Sequence, residues 1–280
     1  MKRTLLLILS MMLALCMVSC SQITNTGGAS DSLSETDNSV SDTDKKEESM
    51  SDTTQTTEET EYIPSRTVKI ACVGDSITYG VGASNAETKS YPVQLEVKLG
   101  VKYEVKNFGR PRAFMIDKRD YPDFTYSSEY SIAYKNTEQY QQSLQYDADI
   151  VFICLGANDA HASDKNTSID QAKYYYDSAV ALAKEYQNLP SKPTVYFIYP
   201  PSRFDAQYRY DYVKNTIIPQ MDKAAKATGC ETIDMFSVTD SYAKSKNTNY
   251  INKDGVHLAD GGYTLMASTV LEAVKQFRLK

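Results

Sequence analysis

The residues best suited to chemistry in this 280-residue chain are a serine, Ser76, and one of its only two histidines, His257. Ser76 stands in Gly74-Asp75-Ser76, where an apolar run from Thr67 to Cys72 gives way to a turn flanked by Gly74 and Gly80. A hydroxyl presented at the end of a buried strand becomes a nucleophile once a neighbouring base takes its proton. Read alone, the same serine is equally a good helix cap. The base is His257, in Asp254-Gly255-Val256-His257. A carboxylate three residues upstream in a turn can fold back onto the imidazole, fix its tautomer and stabilise the imidazolium. The competing view is an ordinary Asp-Gly turn. His161, three residues beyond Asn158, is the rival base, with Asp159 lying too near in a different turn to be clearly its partner. Acyl transfer also needs donors aimed at a developing oxyanion. Gly109, which ends Asn107-Phe108-Gly109, can turn its amide inward, and Asn158, in Gly156-Ala157-Asn158-Asp159, can offer its side-chain NH₂. Taken singly, each is better explained as a turn residue. No Cys/His spacing suggests a metal site, and the chemistry requires no metal or organic cofactor.

These residues have to be brought together by the elements between them. Apolar, β-branched runs at 67–72, 101–107, 149–155, 194–198 and 232–235 predict strands. Helical patterns at 90–99, 136–146, 169–187, 212–228 and 259–278 alternate with them, the fourth kinked at Pro219. Continuous apolar strands separated by helices imply an α/β fold with a parallel sheet covered on both faces. Ser76, Gly109 and Asn158 then all fall at strand ends on one sheet edge, where such folds gather their ligands. Residues 110–135 follow neither period and are dense in Tyr, Arg, Pro and Asp. Long irregular loops at that edge are usually functional. Tyr121, Phe124, Tyr126 and Tyr130 could offer flat faces to a sugar ring, but packing is the better expectation for most of them.

Four turn motifs in the order Ser, Gly, Asn, His, at the ends of successive elements, resemble the SGNH hydrolases of the GDSL esterase family, and the resemblance covers nearly all of residues 67–280. It implies a three-layer α/β/α sandwich around a five-stranded parallel sheet. It also implies that Ser76 is the nucleophile, His257 the base and Asp254 its orienter, with the Ser76 amide, the Gly109 amide and the Asn158 side chain forming the oxyanion hole. Two departures stand out: Arg110-Pro111-Arg112 follows Gly109 where many relatives carry small residues, and Ala157 replaces the common threonine. The α/β-hydrolase elbow is a poorer match, because Thr78 occupies the place of its second glycine. Ser90-Tyr91-Pro92-x-Gln94-Leu95 and Tyr199-Pro200-Pro201 are similar to the branch that includes xylan and sialic-acid acetylesterases. The expectation is an esterase removing O-acetyl groups from carbohydrate. A lipase, thioesterase or cell-wall deacylase with the same residues is the first alternative, and a catalytically silent glycan-binding lipoprotein the second.

The N-terminal fifth of the chain has a different character. Residues 1–20 carry Lys2 and Arg3, a short apolar core and Ser19-Cys20, the layout of a secretion signal too short to span a bilayer comfortably. Met17-Val18-Ser19-Cys20 resembles a bacterial lipobox, which makes Cys20 the expected lipidated residue; the competing Cys16 follows Leu15, too large for a good cut. Residues 21–62 are acidic and rich in Ser and Thr, and they hold too little apolar surface to offset the entropy of ordering, so they read as a tether. The expected protein is an exported lipoprotein held on a membrane, its catalytic domain spanning 63–280. Of the chain's net charge of −6, the eleven acids and two bases from Ser21 to Glu61, with Lys2 and Arg3 ahead of them, leave +1 for that domain. A near-neutral domain has no electrostatic footprint for nucleic acid. Its cysteines, Cys72, Cys154 and Cys230, are odd in number and lie in or beside predicted strands, which predicts small core residues and no disulfide framework.

Overall fold

The computed structural model describes residues 62–279. The expected signal segment, Cys20 and the tether up to residue 61 lie outside the described residues. In chain order the strands are β1 (Val68–Gly74), β2 (Tyr103–Gly109), β3 (Ala113–Phe114), β4 (Ile132–Ala133), β5 (Ile150–Cys154), β6 (Thr194–Ile198) and β7 (Glu231–Ile233). The α-helices are α1 (Ser76–Tyr79), α2 (Ala86–Lys89), α3 (Tyr91–Leu99), α4 (Glu138–Tyr146), α5 (Ala157–His161), α6 (Gln171–Gln187), α7 (Gln207–Tyr212), α8 (Ile218–Thr228), α9 (Met235–Lys244) and α10 (Asp260–Gln276).

Five strands form one parallel sheet in the order β2-β1-β5-β6-β7. Because alternate residues of a strand face opposite ways, β1 feeds two cores. Ala71 and Val73 pack with Val151, Ile153, Tyr175, Leu182 and Met221 on the face covered by α6 and α8. Ile70 and Cys72 pack with Phe152, Leu95, Met266 and Val270 on the face covered by α3 and α10. The result is the three-layer sandwich that the family resemblance implied, with the parallel sheet covered on both faces as the alternation of elements predicted. Cys72 and Cys154 are buried in the second core, and all three cysteines of the domain are free thiols.

The register decides where the site forms. Gly74, the last residue of β1, pairs with Gly109 at the end of β2 and with Cys154 at the end of β5. Three strands therefore finish level, and the loops after them open on one edge.

Several boundaries differ from the sequence expectation. The second strand begins at Tyr103, because Gly100 ends α3 in a left-handed turn (φ 74°) and Val101 is left 95% exposed. The helix expected over 212–228 is longer: α7 runs into a π-helical stretch, Val213–Ile217, which leads into α8 with Pro219 in its first turn. A wider turn ahead of a proline absorbs its missing donor and its ring clash. The last strand stops at Ile233, since the Asp234 side chain accepts the Ser237 amide and starts a helix, α9, that periodicity did not reveal. Within 110–135, β3 and β4 pair. Phe114, Phe124 and Tyr126 pack on one another, and Tyr121 stacks on Tyr174 at 4.0 Å. Of the aromatic residues expected there, only Tyr130 stays largely open, at 66% exposure.

Candidate active site

The turn carrying Ser76 is forced by close packing. A Cβ on Gly74 would lie 2.1 Å from Thr78 Oγ1 and 2.5 Å from the Cys154 carbonyl oxygen, so only glycine lets β1 reach its neighbour and turn there. Asp75 caps the short helix α1, its Oδ1 accepting the Ile77 amide at 2.9 Å. Ser76 is thereby held at the helix start with 9% of its surface open.

His257 arrives from the far end of the chain. Asp254 Oδ1 accepts the backbone amides of Val256 (2.9 Å) and His257 (3.0 Å), which curls the turn, and its Oδ2 meets His257 Nδ1 at 2.6 Å. The other ring nitrogen, Nε2, lies 2.9 Å from Ser76 Oγ, across 181 residues of sequence. Burial alone would push the Asp254 carboxyl up, but the hydrogen bonds from His257 and from the two amides outweigh it and hold Asp254 below the usual carboxylate value. The turn is tied down from both sides. The Asn252 amide donates to the His257 carbonyl at 2.7 Å, and Asn252 Nδ2 to the Gly82 carbonyl at 3.1 Å. Gly82, at φ 95°, sits where a Cβ would lie 2.6 Å from the Leu258 carbonyl oxygen. Nothing in the sequence had singled out Asn252.

Asn158 lies in the first turn of α5, and its Nδ2 donates to the Ala113 carbonyl at 2.9 Å. The second hydrogen of that amide has only a long contact, 3.4 Å to Asp75 Oδ2. The expectation for Gly109 needs correcting. Its amide is already engaged by Asn107 Oδ1 at 2.9 Å, and a Cβ there would meet the Tyr79 backbone at 2.2 Å, so Gly109 serves to pack β2 against α1. In the loop that follows, the Arg110 amide donates to the Gly74 carbonyl at 2.9 Å, and Pro111 has no N–H. The next residue, Arg112, lines the cavity beside Ser76 with φ 66°, and its amide finds no acceptor among the described residues. Sequence reasoning missed it because an arginine gives no sign of left-handed backbone.

A cavity of about 540 Å³ joins these groups, walled by Ser76, Pro111, Arg112, Ser127, Ser128, Asn158, His161 and His257 with Val81, Ala157 and Val256. Another hollow, of about 470 Å³ beside Ser163, Asp170 and Tyr212, reaches none of Ser76, Asn158 or His257. His161 shares the site but does not touch Ser76. Burial, with the positive charges of Arg209 and Arg203, lowers its pKa below the ordinary imidazole value. Beneath the site lie two buried carboxyls, both raised chiefly by burial. Asp75 reaches about 7, and Asp159, which accepts the Met115 and Ile116 amides, about 6.

An imidazole bridging a buried hydroxyl and an oriented carboxylate, with uncommitted N–H groups beside it, suits attack on an ester or amide carbonyl. Comparison with known proteins agrees. The profile of the GDSL-like lipase/acylhydrolase family matches residues 72–265, a span that holds Ser76, Asn158, Asp254 and His257. An acetylxylan esterase of Xylanibacter ruminicola is 27% identical over 228 residues; that alignment takes in 74% of this chain and 43% of the relative, so the chain spans less than half of that protein's length. Among solved structures, an acetyl xylan esterase superposes with a TM-score of 0.55 at 20% identity, covering 74% of this chain and all of the other. A lipase/acylhydrolase from Enterococcus faecalis gives 0.53 at 19% identity, covering 76% and 98%. With the family profile spanning most of the sandwich and its site, the chain belongs to the GDSL-like lipase/acylhydrolase family.

Proposed function

We propose that the protein is an exported serine esterase that removes short acyl groups, O-acetyl above all, from carbohydrate. The observation that carries this reading is the continuous chain of contacts from Ser76 Oγ through His257 to Asp254. His257 Nε2 takes the Ser76 proton as Oγ attacks the ester carbonyl, and Asp254 stabilises the imidazolium. The oxyanion is met by the Ser76 amide, the loosely engaged hydrogen of Asn158 Nδ2 and, in place of the Gly109 amide, the amide of Arg112. Collapse of the tetrahedral species breaks the ester C–O bond while His257 returns its proton to the leaving sugar hydroxyl. Water, activated by the same imidazole, then releases acetate and restores Ser76.

A short acyl group suits a cavity whose walls carry Arg112, Ser127, Ser128 and His161 more than an apolar groove for a long chain. Carbohydrate is supported by the acetylxylan esterase relative, and export on a lipid anchor at Cys20 by the sequence of residues 1–20. The test is acetate release from acetylated glycans, alongside p-nitrophenyl acetate and octanoate. Ser76→Ala is expected to lower turnover by at least about 10³-fold with the fold intact, and His257→Asn nearly as much. His161→Asn is expected to be far milder, and the reverse order of the two histidine variants would reassign the base. Preference for octanoate would replace the acetylesterase reading with a lipase.

A further inference from the structure

We propose that Arg112 is an anion-recognising residue of this site, and that the preferred substrates are O-acetylated saccharides carrying a carboxylate close to the scissile ester. The inference rests on the esterase reading above and adds the charge of the substrate to it. Three observations carry it.

First, Arg112 is the one cavity-lining residue with a permanent charge, and no carboxylate lines the same cavity. The guanidinium has no ion pair among the described residues; its neighbour is the ring of Tyr130, 5.4 Å away. By contrast, Arg66, Arg119, Arg203 and Arg209 are each held by a carboxylate. An arginine stacked on an aromatic face keeps its planar fork of donors free for a carboxylate.

Second, the placement is built. The register of β3 and β4, Ala113 opposite Ile132, sets Arg112 at the head of one strand and Tyr130 just ahead of the other, so the short ladder brings the pair together. Arg112 takes a left-handed φ of 66° to stand there, a conformation that strains an ordinary residue and clusters at functional sites.

Third, the rest of the wall supplies no rival charge. Ser127 and Ser128 offer hydroxyls, and His161 is held toward its neutral form. A cavity of about 540 Å³ lies within the range that takes a small ligand, enough for a sugar residue beside the ester. A substrate carboxylate there meets an exposed guanidinium whose planar fork can hold it through two parallel N–H···O bonds.

The test compares kcat/KM for acetate release from an O-acetylated oligogalacturonide, from the same oligomer with its carboxylates methyl-esterified, and from O-acetylated neutral xylo-oligosaccharide. The acidic oligomer is expected to be favoured about tenfold over its methyl ester, a preference that shrinks as sodium chloride rises. Arg112→Gln should bring the ratio close to one, and Arg112→Lys should keep part of it. Equal ratios in the parent protein and Arg112→Gln, or a preference for the neutral oligomers, would overturn the assignment. Stronger competition from sulfate or phosphate than from free galacturonate would overturn the carboxylate as its ligand. Turnover of p-nitrophenyl acetate with no acetate from any of the three glycans would instead remove the carbohydrate reading on which the proposal rests.

Discussion

At the scale of single residues, the site separates groups chosen for their side chains from groups chosen for their backbone. Ser76, His257 and Asp254 were legible because the chain has two histidines and only one follows a carboxylate at a spacing that lets a turn close on it. The second backbone donor proposed for the oxyanion was not. Gly109 drew attention as the residue free to turn, yet its amide is bound by Asn107 and the left-handed position falls three residues later on an arginine. Glycine signals conformational freedom in a sequence, whereas a strained arginine signals nothing until its φ is seen. That strain makes a stability prediction distinct from the selectivity test. Arg112→Gly removes a cost of order 1 kcal/mol, partly offset by the greater entropy of glycine in the unfolded chain. Urea unfolding should show a gain of up to about 1 kcal/mol. A loss would mean that the guanidinium's packing on Tyr130 outweighs the strain.

At the scale of elements, the strands were legible because buried parallel strands read as unbroken apolar runs, and their level ends already placed Ser76 and Asn158 on one edge. The loop after β6 was not, although it braces two other pieces of the site. Arg203, 3% exposed, donates to the Ala157 carbonyl at the start of α5 (2.9 Å) and pairs with Asp205 through Nε (2.5 Å) and Nη2 (2.8 Å). One residue on, the Phe204 amide donates to the Gly255 carbonyl at 2.8 Å, inside the turn that presents His257. A single arginine after two prolines reads in sequence as a solvated loop residue, because the partners that bury it lie elsewhere along the chain. Arg203→Met would strip Asp205 of one of its two arginines, leaving Arg209. Removing one partner of a buried pair costs about 3–5 kcal/mol, and the remaining arginine should hold the loss toward the lower figure. The purified variant should also lose kcat more than KM on p-nitrophenyl acetate, since the brace positions Asn158 and His257 without touching substrate. Full activity in a protein destabilised by that amount would show that the loop supports the fold alone.

At the scale of the whole molecule, the carboxyls pull stability in opposite directions with pH. Asp75 and Asp159 lie between the sheet edge and the site, wholly buried, and burial raises them from 3.8 to about 7 and about 6. In the unfolded chain each loses its proton near pH 4, while the folded protein keeps it to the raised value. Between those limits the folded state binds more protons, so stability falls as pH rises from about 4 to about 7, and levels off above. Asp149, held by Arg66 and the Lys69 amide at the opposite sheet edge, behaves in reverse. Asp205 and Asp254 follow it, because ion pairing or hydrogen bonding lowers their folded pKa values despite burial. Their stabilisation is present above pH 4 and is lost as pH falls through the lowered values. The sum is a stability maximum near pH 4, where the lowered groups are ionised and the raised pair has only begun to lose its contribution. The urea midpoint of the folded domain, followed from pH 3 to 8, should peak there and decline toward pH 7. Asp159→Asn removes one of the two groups responsible, so its decline between pH 4 and 6 should be shallower than the parent's. A midpoint that climbs steadily from pH 5 to 8 in the parent would mean that both carboxyls are already ionised in the folded protein, with charge beneath the nucleophile at every working pH.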